Sequence, residues 1–205
     1  MFKDAFTKLD STQAARMAER INPHLDIKMD PATTTVMVHP LSFYPDHTLV
    51  ELSRHDQYPP VTRAAVLHDK SDKITVLNWT NETIHALNKS APIALDETNM
   101  ADYVRFFFHY VRGAHGRFII IDTVDDIDWR EEPAPAGRKA LGKMIDPLRI
   151  ESREKDGTVV FNMCIVFKDS LFAAEAHLKP DGKISMQNEE LLVEDIPVAD
   201  DILGQ

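Results

Sequence analysis

The chain has 205 residues, 43% hydrophobic and 27% charged, and a formal net charge of −10. That composition excludes an intrinsically disordered chain and supplies core for one domain or two small lobes. No apolar run approaches the roughly 20 residues of a bilayer-spanning helix, and a single cysteine excludes an intramolecular disulfide.

In chain order, Phe2, Ala5, Phe6 and Leu9, then Ala14, Met17, Ala18 and Ile21, carry a helical period. They read as one helix or two short ones, with Ser11 or Thr12 capping the second and Asn22-Pro23 ending it. The first twenty residues lack an apolar signal core and include Asp4, Asp10 and Glu19, so neither secretion nor organellar import is expected. With the lone thiol, this points to the cytoplasm. Residues 33–39 are β-rich, with Val36 and Val38 on one face. Pro40 and Pro45 bracket a turn, and 47–53 alternates as a second strand. Residues 61–68 and 73–79, joined by a polar link at 69–72, predict a hairpin. Residues 80–96 fit either a short strand or a helical turn.

Residues 99–122 are the most legible stretch. Met100, Tyr103, Val104, Phe107, Phe108 and Val111 recur at helical spacing, predicting an amphipathic helix at about 99–112. Gly113 stands where a left-handed residue commonly ends a helix, and 118–121 reads as a buried strand. Residues 122–132 hold six acids against one Arg, a net of −5, and 189–201 hold six acids and no base, a net of −6. The remainder is therefore near neutral, and two short segments carry the acidity. PAPAGRK (133–139) reads as a loop by composition.

From 147 the signals strengthen. Asp156-Gly157, Lys168-Asp169 and Pro180-Asp181-Gly182 punctuate a four-strand antiparallel meander at about 147–155, 158–168, 170–178 and 183–188. The second of these strands is apolar on both faces, which requires cover on each side. In the third, Phe172, Ala174, Ala176 and Leu178 share a face whose small centre leaves room for the 99–112 helix. The expected fold is α+β, an antiparallel sheet (the C-terminal meander plus the N-terminal strands) packed around that central helix. It is organised as a single domain over 1–205 or as two lobes, 1–95 and 96–205.

The opposite edge of the helix carries the chemistry. Arg105, His109 and Arg112 lie at i, i+4 and i+7, and His115 and Arg117 follow directly. Two readings compete. Cations near a helix C-terminus gain roughly 0.3–1 kcal/mol from the macrodipole, and these can pair with the acids of 122–132. Alternatively they form a site for an anionic ligand or partner group.

Other constellations are weaker. Residues 137–143 match the GxxxxGK half of a phosphate loop, but Met144 replaces the magnesium-binding hydroxyl and no strand directly precedes it. Asp122, Asp125, Asp126 and Asp128 lack the spacing of a calcium loop, so no metal site is expected. His39, His47, His55 and His68 lie on or beside the N-terminal strands without a ligand motif, and their convergence is an open question. Cys164, mid-strand and apolar, reads as an inert small hydrophobe, and no GxSxG or SxxK motif supplies a nucleophile. Trp79 and Trp129 are candidates for a pocket or interface. No motif calls for a cofactor. Duplex nucleic acid is disfavoured by the acidic balance.

The expected function is recognition of an anionic ligand or partner through Arg105, His109, Arg112, His115 and Arg117, without covalent chemistry. One alternative is an enzyme with a His/carboxylate acid–base pair in a helix–sheet pocket, using His109 or His177. Another is a homodimer that buries the second face of the 158–168 strand between protomers.

Overall fold

The computed structural model of the chain describes residues 6–56 and 60–199. It is α+β, with antiparallel pairing in every ladder. The described residues form two compact units that divide between Ala94 and Leu95. Among the described residues no helix is long and apolar enough to cross a membrane.

The first unit is a meander of five strands: β1 (Thr7–Lys8), β2 (Thr34–Pro40), β3 (His47–Arg54), β4 (Val61–His68) and β5 (Ile74–Leu77). Spatial order equals chain order. The register Val36↔Leu52, Val50↔Ala65 and Thr48↔Leu67 sets the apolar positions on one face. There they form a core with Ala14, Ala18 and Ile21 of α1 (Ser11–Ile21). The two alanines let the helix approach closely, and each buried Val or Leu contributes roughly 1.5–3 kcal/mol. Residues 80–96 resolve into α2 (Asn81–Ser90) followed by irregular chain.

Two expectations for this unit are corrected. Thr7–Lys8 is a strand rather than helix, fixed by pairing with Met37 and Val38, while Phe2 and Ala5 lie outside the described residues. The cap of α1 is Asp10 rather than Ser11 or Thr12. Its carboxylate accepts the Gln13 N–H at 2.8 Å, and the Gln13 side chain accepts the Asp10 N–H at 3.2 Å, closing a capping box.

The second unit begins with α3 (Met100–Tyr110) and a tight hairpin of β6 (Arg112–Gly113) and β7 (Gly116–Ile121). After α4 (Pro135–Gly142) come β8 (Arg149–Arg153), β9 (Val159–Phe167), β10 (Ser170–Leu178) and β11 (Ile184–Val193). The sheet order is β11-β10-β9-β7-β6. Along one side of β9, β8 pairs with residues 159–162 and β7 with 164–167, so the two partners follow one another and the chain between them makes an excursion.

β9 is apolar on both faces, and both are covered within this unit. On one face Phe108 of α3 meets Phe118 edge-on at 6.2 Å, and Phe118 stacks on Phe167 at 4.9 Å. The register places Phe172, Ala174, Ala176 and Leu178 on that same face. On the other, Ile121, Cys164, Val166 and Leu171 pack with Ile127 and Ile145 of the excursion and with Ile196. The second face of β9 is thus closed inside a single chain, which removes the feature that pointed to a homodimer.

Gly113 does not end a helix. α3 stops at Tyr110 with an extended Val111, and Gly113 sits in β6, where an added Cβ would stand 3.0 Å from the Phe118 ring. PAPAGRK is not a loop either, since Pro135 opens α4, where a missing N–H costs nothing. The last strand runs on to Val193, taking in part of the acidic stretch.

Candidate functional site

α3 is buried almost all round: Tyr103, Val104, Phe106, Phe107, Phe108 and Tyr110 are enclosed, and so is Arg105, 4% exposed. A guanidinium in such surroundings needs a counter-charge. β7 delivers one, because Asp122 follows its last residue. Arg105 Nη2 donates to Asp122 Oδ1 at 2.9 Å and to Oδ2 at 2.7 Å, and Oδ1 also accepts the Leu148 N–H at 2.9 Å. The Asp126 carboxylate holds the turn beneath by accepting the Asp122 and Thr123 N–H groups at 2.9 and 2.8 Å. Arg105 Nε is shielded from solvent and has no hydrogen-bond partner.

Between α3 and β7 lies a small recess of about 20 Å³, room for a single water-sized group. It is lined by Arg105, His109 and Arg117 together with Phe108, Phe118, Ile119 and Ile120. Three of the five candidate cations thus converge. Arg112 is the direct partner of Arg117 across the hairpin, and His115 is exposed at its tip.

The acidic segment folds against the protein's own arginines: besides Asp122 with Arg105, Asp125 and Glu132 both pair with Arg138. This is the structural role weighed for the cationic edge, realised at Arg105. The GxxxxGK stretch forms α4, with Arg138 engaged in those pairs, and no strand leads into it. Among the described residues no three His, Cys, Asp or Glu side chains are arranged to hold a metal ion. Trp129 packs beside the core on the second face of β9.

Of the N-terminal histidines, two meet. His47 and His68 are register partners with ring centroids 4.7 Å apart. The Pro45 carbonyl can only accept, so His47 Nδ1 carries a proton at 2.8 Å from it; the Lys70 N–H donates to His68 Nδ1 at 3.1 Å, so that nitrogen is bare. Lys70 also holds the neighbouring Asp46 carboxyl below its usual range, with smaller help from both imidazoles. His39 packs at a tilt against Phe6 instead, and His55 is exposed.

His177 lies on the β10 face opposite Phe172, away from the α3 recess. Its Nε2 is 3.1 Å from Glu175 and its Nδ1 3.5 Å from Glu154, while Asn188 donates to Glu175 at 2.8 Å. The His177 and Asn188 hydrogen bonds hold the Glu175 carboxyl below its usual range. The carboxylates approach opposite nitrogens of the ring, so they cannot converge on one ion. Cys164 is buried, with its thiol pushed up by desolvation, and is inert as a nucleophile.

The run of cations was visible in the sequence; the recess, the Asp122 partnership, the His47–His68 pair and the Glu175–His177–Glu154 group were not, since helix packing and strand register create them. Comparison of the chain with protein-family models, curated proteins and solved structures finds no match.

Proposed function

We propose that this protein is a binding module that recognises an anionic group at the recess between α3 and β7. The observation that carries this reading is Arg105: an enclosed guanidinium with one nitrogen committed to Asp122 and a shielded, unbonded Nε, lining the same recess as His109 and Arg117. An oxygen acceptor placed there gains charge-assisted hydrogen bonds, each about twice as strong as a neutral one. The test is thermal shift against inorganic phosphate, sulfate and short carboxylates, with Arg117→Gln and His109→Gln alongside. At least one anion raises the melting temperature by several degrees in the parent chain and much less in both variants. A flat response to every anion, or an equal response in the variants, removes the site.

A second reading, acid–base catalysis, is favoured by one observation. Asn188, Glu175 and His177 form a line in which an amide orients a carboxylate and the carboxylate orients an imidazole. It would operate on the outer face of the sheet rather than in a helix–sheet pocket. His177→Asn abolishing a hydrolytic or isomerising activity found by substrate screening supports it; an unchanged rate removes it.

A further inference from the structure

We infer that the anionic head taken up by the α3–β7 recess is carried on an aromatic ring, so that the ligand class is an aryl phosphate or aryl carboxylate. The inference rests on the anion site proposed above and specifies its occupant.

Size is the first argument. A space of about 20 Å³ admits one oxygen of an anionic head, while the remainder of any larger ligand must lie outside it. What it meets there is a wall formed by the half-buried ring of Phe118, with Phe108 and Ile120 buried behind it. A sugar or a polar chain would desolvate its hydroxyls against that wall without partners, whereas a flat apolar body would not.

The second argument is the arrangement of the rings. Phe118 both lines the recess and stacks on Phe167 at an interplanar angle of 17°, and both rings are only half-buried. Lys168 Nζ lies 5.7 Å from the Phe167 centroid, so cationic and aromatic groups alternate along this surface. The hairpin backbone is pressed against Phe118 at Gly113, where a Cβ would come within 3.0 Å of the ring. That contact holds the ring in place beside Arg117. A preset ring next to a preset cation suits a ligand with the same two parts, since aromatic pairing adds roughly 0.5–1.5 kcal/mol beyond area burial.

Third, the charge distribution limits ligand length. The net charge of −10, and the acids at 122–132 that directly follow β7, repel a polyanion more strongly than a single anionic head.

The experiment is titration calorimetry of the full chain with inorganic phosphate, cyclohexyl phosphate and phenyl phosphate. Phenyl phosphate is expected to bind about tenfold or more tightly than inorganic phosphate, and more tightly than the cyclohexyl ester. Phe118→Leu is expected to erase the phenyl advantage while inorganic phosphate binding persists. Should that variant fail to fold, intermolecular NOEs from the phenyl protons to the Phe118 ring in the parent protein decide instead. Equal affinity for all three compounds, a cyclohexyl ester as tight as the phenyl one, or no NOE to Phe118 overturns the aromatic occupant and leaves the anion site standing. No binding of any of the three, nor of benzoate titrated beside them, overturns both.

Discussion

The two sheets cover their middle strands in different ways. In the first unit the strands follow one another in space as in the chain, and α1 lies against one face of an unbroken meander. In the second, the strand with two apolar faces, β9, shares one side between β7 and β8, and the excursion between those partners folds over the face that α3 leaves open. The interruption shapes the candidate site. It places Asp122 at the end of β7, within reach of a guanidinium that would otherwise be enclosed without a counter-charge, and it leaves a recess where helix and strand part. The first unit has a buried arginine as well, Arg63, but its fork to Asp26 (2.8 and 3.0 Å) is made with a carboxylate that is 69% exposed.

That contrast can be broken experimentally. The largest effect is expected for Asp122→Ala, which strands the Arg105 charge. Removing one partner of a buried pair costs 3–5 kcal/mol, and partial exposure of Asp122 puts the loss at the lower end, about 3 kcal/mol. Urea unfolding followed by hydrogen exchange in β9 measures it. Asp26→Ala in the first unit should cost less, about 1–2 kcal/mol, because solvent replaces part of what is lost. Equal losses at the two sites would dissolve the distinction between them. Gly113→Ala comes next, at about 1 kcal/mol, since the Phe118 ring must yield to the new methyl; its thermal midpoint reports the loss.

Acid should produce the smallest single-residue effect. Asp26 and Glu175 are both held below their usual range, Asp26 chiefly by the Arg63 hydrogen bond and Glu175 by that of His177. A carboxyl with a lowered folded value contributes stability that is complete above its unfolded value and fades as pH falls through the lowered one. Stability in urea should therefore be flat above the ordinary carboxylate range and decline below it. Glu175→Gln should make that acid limb slightly shallower, and an unchanged limb would show that the His177 contact adds nothing.

Periodicity exposed α3 and most of α1, because their apolar side chains face a core at helical spacing. Alternation and turn residues exposed β2 to β4, β9 and β10 to within a residue or two. β1 was hidden because two residues carry no period and owe their conformation to β2. α4 was hidden because Pro135 and Gly137 look like loop residues, although a proline at the first helical position is already preorganised. At the candidate site the cluster of cations was legible, but the burial of Arg105 was not. Its partner lies 17 residues away and arrives only through the course of β7. The same reason hid His47 and His68, which sit in adjacent strands and meet by register.

The most direct measurement is the nitrogen–proton correlation of the Arg105 Nε–H in a phosphate titration at fixed ionic strength. The account predicts a saturable shift of that resonance, lost in Arg117→Gln. An Arg105 signal that stays in place while exposed arginines drift linearly with phosphate would contradict it.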